Sequence, residues 1–250
     1  MTTHRFYLPP GRWNEERPEL DPSDSHHCAD VLRLSEGMGV VIFDGEGNEA
    51  GAELLEVGRK HTRISIGSRI TTPKPRCSIT LAQAVPKARN MDLIIQKAVE
   101  LGASAVTPIL SERTVVRIED GGDAEKKRER WQSIAIEACK QCGQNRAPRI
   151  SLPVTPKQFL SRPPEADLLL IASLLPEARP VKEVLAAHVA AKGAPPASVV
   201  VMVGPEGDFT PEEHALAKAA GAVALTLGPL VLRTETAALY CLSVLGHELL

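Results

Sequence analysis

The sequence predicts an α/β protein in two parts: a mostly parallel sheet covered by helices on both faces, preceded by a smaller β-rich domain. Three observations carry this. Up to about residue 67 the apolar residues fall in short alternating runs of the kind half-buried strands show. Beyond residue 76 the pattern becomes strand and helix in turn, which favours parallel strands joined by covering helices. Between them Thr71-Thr72-Pro73-Lys74-Pro75-Arg76 sets two prolines among polar residues, which is linker chemistry. The expected domains are therefore 1–72 and 73–250.

The totals fit this and exclude several classes. A chain of 250 residues, 43% hydrophobic, is long enough to bury one large core or two smaller ones. A net charge of -2 does not advertise a broad grip on polyanions, although 29 Lys and Arg suffice for a local basic face. Aromatics are only 3%, so an RNA surface here must work mainly by shape, charge and hydrogen bonds rather than by stacking. No apolar run approaches the roughly 20 residues that cross a bilayer, and the residues after Met1 form no signal-type apolar core. Five cysteines in such a chain point to reduced thiols and a cytoplasmic location.

In the first domain, residues 6–8, 40–43, 50–55 and 62–66 read as strands, with Asp44-Gly45-Glu46-Gly47-Asn48 as a hairpin turn and 25–34 as a helix. A small β-barrel with one helix is the simplest assembly. His26 and His27 are adjacent, so they face different sides of a helix and make a poor metal pair. No metal site is expected. In the second domain, strands are expected over 79–84, 105–110, 167–172, 198–203 and 224–227. Helices are expected over 91–101, 126–142, 181–191, 211–220 and 237–249. Cys139 and Cys142 form a lone C-x-x-C inside a helix, without the further ligands or the strand-to-helix context that metal or redox work needs, and read as packing residues.

Two loops stand out. The apolar run 199–203 breaks into Gly204-Pro205-Glu206-Gly207-Asp208-Phe209, followed by Thr210, Pro211 and Glu213, a capping box with proline at the first helical position. Residues 224–227 likewise run into Gly228-Pro229-Leu230-Val231-Leu232-Arg233-Thr234-Glu235-Thr236. They are read as ending two neighbouring strands. Ligands of open α/β sheets bind beyond strand carboxyl ends, where glycines admit the backbone and helix N-termini offer free N–H groups. Neither G-x-x-x-x-G-K-[ST] nor G-x-G-x-x-G occurs, which removes the usual arguments for a P-loop nucleotidase or a dinucleotide dehydrogenase.

The pairing of these two loops resembles that of the RsmE-type 16S rRNA uracil-N3 methyltransferases of the SPOUT, or α/β-knot, superfamily. Lys87-Ala88-Arg89-Asn90-Met91-Asp92, Gln96 to Gly102, Ser111-Glu112-Arg113 and Ala138 to Gly143 are similar to that family as well, so the resemblance spans nearly the whole chain. It implies a PUA-like RNA-binding first domain and a second domain whose trefoil knot binds S-adenosylmethionine. The implied cofactor residues are Leu174, Val203, Gly204, Pro205, Glu206, Gly207, Leu227, Gly228, Leu232, Arg233, Thr234 and Ala237. Arg233 is expected to steady charge on the uracil or hold the target phosphate. Glu206 or Glu235 is expected to take the N3 proton, and each is equally suited to hold backbone N–H groups or to sit as a helix N-terminal charge. RNA contacts are expected from Arg5, Arg12, His27, Arg33, Lys87, Arg89, Arg113, Asn145 and Arg146. The implied partners are 16S rRNA or the small ribosomal subunit and, since such enzymes commonly pair as homodimers, a second copy of the chain.

Four positions depart from that family pattern. Asp208 stands where glycine is usual, Leu230 and Gln144 where arginine is frequent, and Ala88 where glycine is usual. The first three make the neighbourhood less positive. A knotted methyltransferase acting on transfer RNA or on a ribose hydroxyl, and an RNA-binding assembly factor without turnover, are the competing readings.

Overall fold

The computed structural model describes residues 4–87, 90–116, 118, 122–163 and 165–250. The chain divides into two compact units, Met1–Lys74 with Ile136–Ala147, and Pro75–Ala135 with Pro148–Leu250.

The first unit is a four-stranded sheet in the order β1 (Arg5–Tyr7), β2 (Gly39–Phe43), β3 (Asn48–Val57), β4 (Thr62–Thr71). β1 runs parallel to β2, and the other pairs are antiparallel. The β2–β3 turn is held by Asp44, whose carboxylate accepts from the N–H groups of Glu46 (2.7 Å) and Asn48 (3.0 Å). That is what an aspartate at the first position of a tight turn does. Beyond β4, Glu19 pairs with Arg63 and prolongs the sheet. Alternate residues point inward, so Phe6, Leu8, Trp13, Leu20, Val40, Ile42, Leu54 and Ile64 form one buried cluster. The expected helix over 25–34 begins earlier. Asp21 caps α1 (Pro22–His26) by accepting from Asp24 N–H at 2.7 Å, and a wider turn over His27–Val31 follows. Ile136–Ala147, also in this unit, comprises the last turns of α3 (Gly122–Cys142) and the loop after it.

The second unit is a six-stranded parallel sheet. Its strands are β5 (Ser78–Ala84), β6 (Ala105–Ile109), β7 (Arg149–Ile150), β8 (Leu168–Ala172), β9 (Ser198–Val203) and β10 (Val223–Leu225), in the spatial order β10-β8-β9-β5-β6-β7. Its helices are α2 (Asn90–Glu100), the first part of α3, α4 (Pro156–Ser161), α5 (Val181–Lys192), α6 (Pro211–Ala219) and α7 (Thr234–Leu249). β9 is buried at every position but its first, as expected of a parallel strand covered on both faces.

Three expectations are corrected, and two elements were not foreseen. β9 and β10 are not neighbours, because β8 lies between them. Hydrophobic pattern marks which segments are strands, whereas their order depends on where the crossovers α5 and α6 carry the chain. α7 starts at Thr234, so Thr234, Glu235 and Thr236 form its first turn instead of the loop before it. Cys139 is buried, but Cys142, the last residue of α3, is exposed and so is not a core packing residue. β7 and α4 were unforeseen, although Thr155 and Gln158 form a capping box around Pro156 that the sequence displays openly.

Candidate functional site: a cleft at three strand ends

β10 lies at the sheet edge beyond β8, while α7, which follows it, packs on β5 and β9 on the other side of β8. The segment between β10 and α7 must therefore pass the carboxyl end of β8. This brings together the ends of three strands: Ser173 and Leu174 after β8, Gly204 to Glu206 with Asp208 after β9, and Leu227, Gly228 and Leu230 to Leu232 after β10. With Thr234 and Ala237 of α7 they line a cleft of about 550 Å³, counted out to its open mouth.

The loop after β9 is tightly built. A Cβ on Gly204 would come within 3.1 Å of Asp208 Oδ1 and 3.2 Å of the Phe209 nitrogen, so any side chain here would push the returning loop outward by a few tenths of an ångström. Asp208 has φ of 59°, the left-handed region, which accounts for glycine being usual at this position. It replaces that freedom with local bonds, Oδ1 accepting from Phe209 N–H at 2.7 Å and Oδ2 lying 3.4 Å from His214 Nε2. The capping box forms as read: Thr210 Oγ1 accepts from Glu213 N–H at 3.2 Å, and Glu213 Oε2 accepts from Thr210 N–H at 2.9 Å. Glu213 does more. Its buried carboxylate also accepts from Ser111 Oγ (3.0 Å) and Glu112 N–H (2.9 Å), and the neighbouring Arg113 donates to the Gly207 carbonyl. The Ser-Glu-Arg segment is thus a brace for the Gly-Pro loop.

A second brace comes from β5. Gln83, fully buried, donates from Nε2 to the Ala84 carbonyl (2.9 Å) and to Thr234 Oγ1 (3.0 Å), and Thr234 donates on to the Gly204 carbonyl at 2.6 Å. The start of α7 is thereby tied to the end of β9. The signal for Gln83 was a lone amide inside an apolar strand, which calls for a partner.

Of the expected cofactor residues, Leu174, Val203, Gly204, Pro205, Glu206, Leu227, Gly228, Leu232, Thr234 and Ala237 line the cleft. Gly207 instead faces Arg113, and Arg233 is the N-cap of α7 with its side chain exposed. Among the described residues, no hydrogen bond or ion pair holds the Arg233 guanidinium. Glu206 lies at the rim and accepts from Lys87 N–H at 3.1 Å, a backbone contact of the kind anticipated beside catalysis. Glu235 lies in the first turn of α7, outside the lining, where it complements the helix dipole.

The walls are apolar side chains and main-chain groups, which suits an uncharged ring system bound through its edges. Gly204 supplies close backbone approach, and Gly228, at φ of 106°, a turn that L residues rarely make. This lining fits a nucleoside-bearing ligand.

The expected RNA residues are placed differently from one another. Arg5 is paired within the first unit to Glu49 (3.0 Å) and Asn145 (2.5 Å) and lies over the Phe43 ring. Asn145 is buried and donates to Thr72 Oγ1, and Arg146 donates to the carbonyls of Glu46 and Thr72. These three hold their own unit together. Arg12 pairs with Glu15 at the surface, while His27 and Arg33 are exposed. Arg89 lies outside the described residues. No group of metal-binding side chains occurs among the described residues.

An RNA methyltransferase domain model matches residues 72–246, and an RNA methyltransferase PUA domain model matches 20–67. The chain is 33% identical to the ribosomal RNA small subunit methyltransferase E of Bacillus subtilis, over 94% of this chain and 92% of that protein. The chain belongs to that family. Two solved structures share its fold over nearly their whole length. One, from Legionella pneumophila with the cofactor SAM bound, has a TM-score of 0.88 at 34% identity, covering 99% of this chain and 98% of that one. The other, a ribosomal RNA small subunit methyltransferase E from Neisseria gonorrhoeae bound to S-adenosyl methionine, gives 0.85 at 32%, covering 99% and 98%.

Proposed function

We propose that the protein transfers a methyl group from S-adenosylmethionine to N3 of a uridine in the 16S rRNA of the small ribosomal subunit. The observation that carries this is the convergence of three strand-end loops on one apolar cleft, with an unpaired guanidinium at its edge, in a chain of the small-subunit rRNA methyltransferase family. Residues 73–250 form the catalytic domain, where the passage of the chain across β8 is part of a trefoil knot, and residues 1–72 form the RNA-binding domain. Two copies pair as a homodimer in the cytoplasm; among the described residues no helix is long and apolar enough to cross a membrane.

The cofactor, when bound, supplies an electrophilic methyl carbon. The chain supplies everything else. Main-chain groups of Gly204 to Glu206 and of the loop from Leu227 to Leu232 would hold the adenine, in a pocket that Leu174, Leu232 and Ala237 line. Uracil N3 carries a proton, and its loss spreads charge onto the two flanking carbonyl oxygens. Arg233 faces that charge as a cation that, among the described residues, no hydrogen bond or ion pair would have to release first. Of the two glutamates, Glu206 lines the cleft and Glu235 does not, which favours Glu206 as proton acceptor.

The test is methylation of naked 16S rRNA and of purified small subunits with a labelled donor, read by mass and by a reverse-transcription stop at a base blocked on its pairing edge. A ribose or transfer-RNA product would overturn the reading. Calorimetry with S-adenosylmethionine separates it from an assembly factor, which would bind none.

A further inference from the structure

Charge enters the cofactor cleft at two places. Among the described residues that line it, only Glu206 and Asp208 have ionisable side chains, and both are acidic. Glu206 is engaged by Lys87 N–H and, in the reading above, by the N3 proton. Asp208 has no part in that reading. It stands where the related enzymes usually have glycine, so its carboxylate is an addition to the usual lining.

That carboxylate is held in place without being neutralised. Oδ1 accepts from Phe209 N–H at 2.7 Å and Oδ2 lies a long 3.4 Å from His214 Nε2, yet the side chain stays 27% exposed. A second cleft, on the far side of Asp208, holds the other charged groups near it. Of these, Arg113 is turned to the Gly207 carbonyl, Lys218 stands near the far end of α6, and Glu177 has the same sign. Among the described residues, no lysine or arginine forms an ion pair with Asp208. A backbone N–H favours the charged form of a carboxylate and leaves its charge intact, so the field of Asp208 acts on whatever occupies the cleft.

Such a field distinguishes the two forms of the cofactor. As the methyl carbon bonds to N3, the electron pair of the broken S–C bond stays on sulfur, and the sulfonium becomes a neutral thioether. Donor and product therefore differ by one positive charge as well as by a methyl group. The N3 proton, once on Glu206, removes one of the two lining charges, and Asp208 is the one that persists through turnover. We propose that Asp208 is a specificity-determining residue of this cleft, whose carboxylate favours the sulfonium donor over the thioether product and so limits inhibition by the product. The proposal rests on the methyltransferase reading above and adds to it how the spent cofactor is told from the fresh one.

Calorimetry on the full chain tests it, with S-adenosylmethionine, S-adenosylhomocysteine and sinefungin, which carries an ammonium group where the donor has its sulfonium methyl. Asp208→Asn keeps a side chain that tolerates the left-handed backbone and an acceptor for Phe209 N–H, and removes the charge. Asp208→Gly removes the charge and the backbone constraint together, and keeps the test open should the first variant fail to fold. In both, the ratio of product to donor dissociation constants should fall about fivefold from its wild-type value, the discrimination one unit charge gives at a few ångströms even under the screening of water. Sinefungin should weaken in step with the donor. A purely structural role would weaken all three ligands alike and leave the ratio where it was. A ratio within about twofold of the wild-type value in either folded variant, or sinefungin that follows the product, overturns the proposal. If the wild type binds the donor and methylates small subunits while the ratio does not move, only this proposal fails; if the wild type binds neither donor nor product, the functional reading fails with it.

Discussion

The two Gly-Pro loops look alike in sequence and are held in opposite ways. The loop after β9 is fastened at every stage: Glu213 closes its helix and reaches Ser111 and Glu112, Arg113 takes the Gly207 carbonyl, and Thr234 takes that of Gly204. The loop after β10 has little of this. Gly228 N–H donates to Thr226 Oγ1 at a long 3.3 Å, and Leu230 and Val231 are 72% and 77% exposed. Arg233, which ends it, caps α7 without a side-chain bond. Large apolar side chains left in water beside an apolar cleft are poised to gain by covering something in it. The contrast suggests a division of labour, with one loop as preformed floor and the other as adaptable cover bearing the cation.

Substitutions can break that division, and the largest effect belongs to the open loop. Arg233→Ala should lower kcat about 10²–10³-fold, the cost of losing one preorganised charge-stabilising group, while calorimetric affinity for S-adenosylmethionine and the thermal midpoint stay within error. Full methylation by this variant would remove the catalytic role of the open loop. The floor should respond in stability instead. Glu213→Ala strips a helix cap and leaves two buried donors without an acceptor, which should cost about 2–4 kcal/mol in chemical denaturation. A loss below about 0.5 kcal/mol, the size of an ordinary surface change, would mean that the brace bears no load.

Gly228→Ala forces φ of 106° on an L residue. It should destabilise by about 1–3 kcal/mol and weaken donor binding, whereas the same change at the exposed, unstrained Gly11 should do neither. Leu230→Ser should leave stability within about 0.5 kcal/mol yet raise KM for the methyl donor, and an unchanged KM would show that this side chain covers nothing. The smallest effect checks that only the loop is open, not the helix behind it. Burial pushes the Cys241 thiol of α7 up to about 12, so at pH 8 an alkylating reagent should modify exposed Cys142 at once and Cys241 only on unfolding. Rapid labelling of Cys241 would show α7 detaching with its loop.

Much of this was legible beforehand. The capping box Thr210-Pro211-Glu213 announced where α6 begins, and the apolar run to Val203 announced the strand before it. Ten of the twelve residues that the resemblance of the two loops implied for the cofactor, from Leu174 to Ala237, line the cleft, and Gly207 and Arg233 do not. What escaped reading were the long-range partners: Gln83 with Thr234, and Glu213 with Ser111, which lie 151 and 102 residues apart. Arg5, Asn145 and Arg146 look like RNA ligands in sequence because charge and amide carry no mark of whether they face solvent or a neighbouring loop.

The sequence by itself determined the two kinds of architecture, the places where strands give way to glycine turns, and the family, since all three depend on residues close together in the chain. Only the tertiary structure decided that β8 lies between β9 and β10, and that one loop is clamped while the other is left open. Strand order and hydrogen-bond partners are set by how distant segments pack, and local pattern holds no record of that.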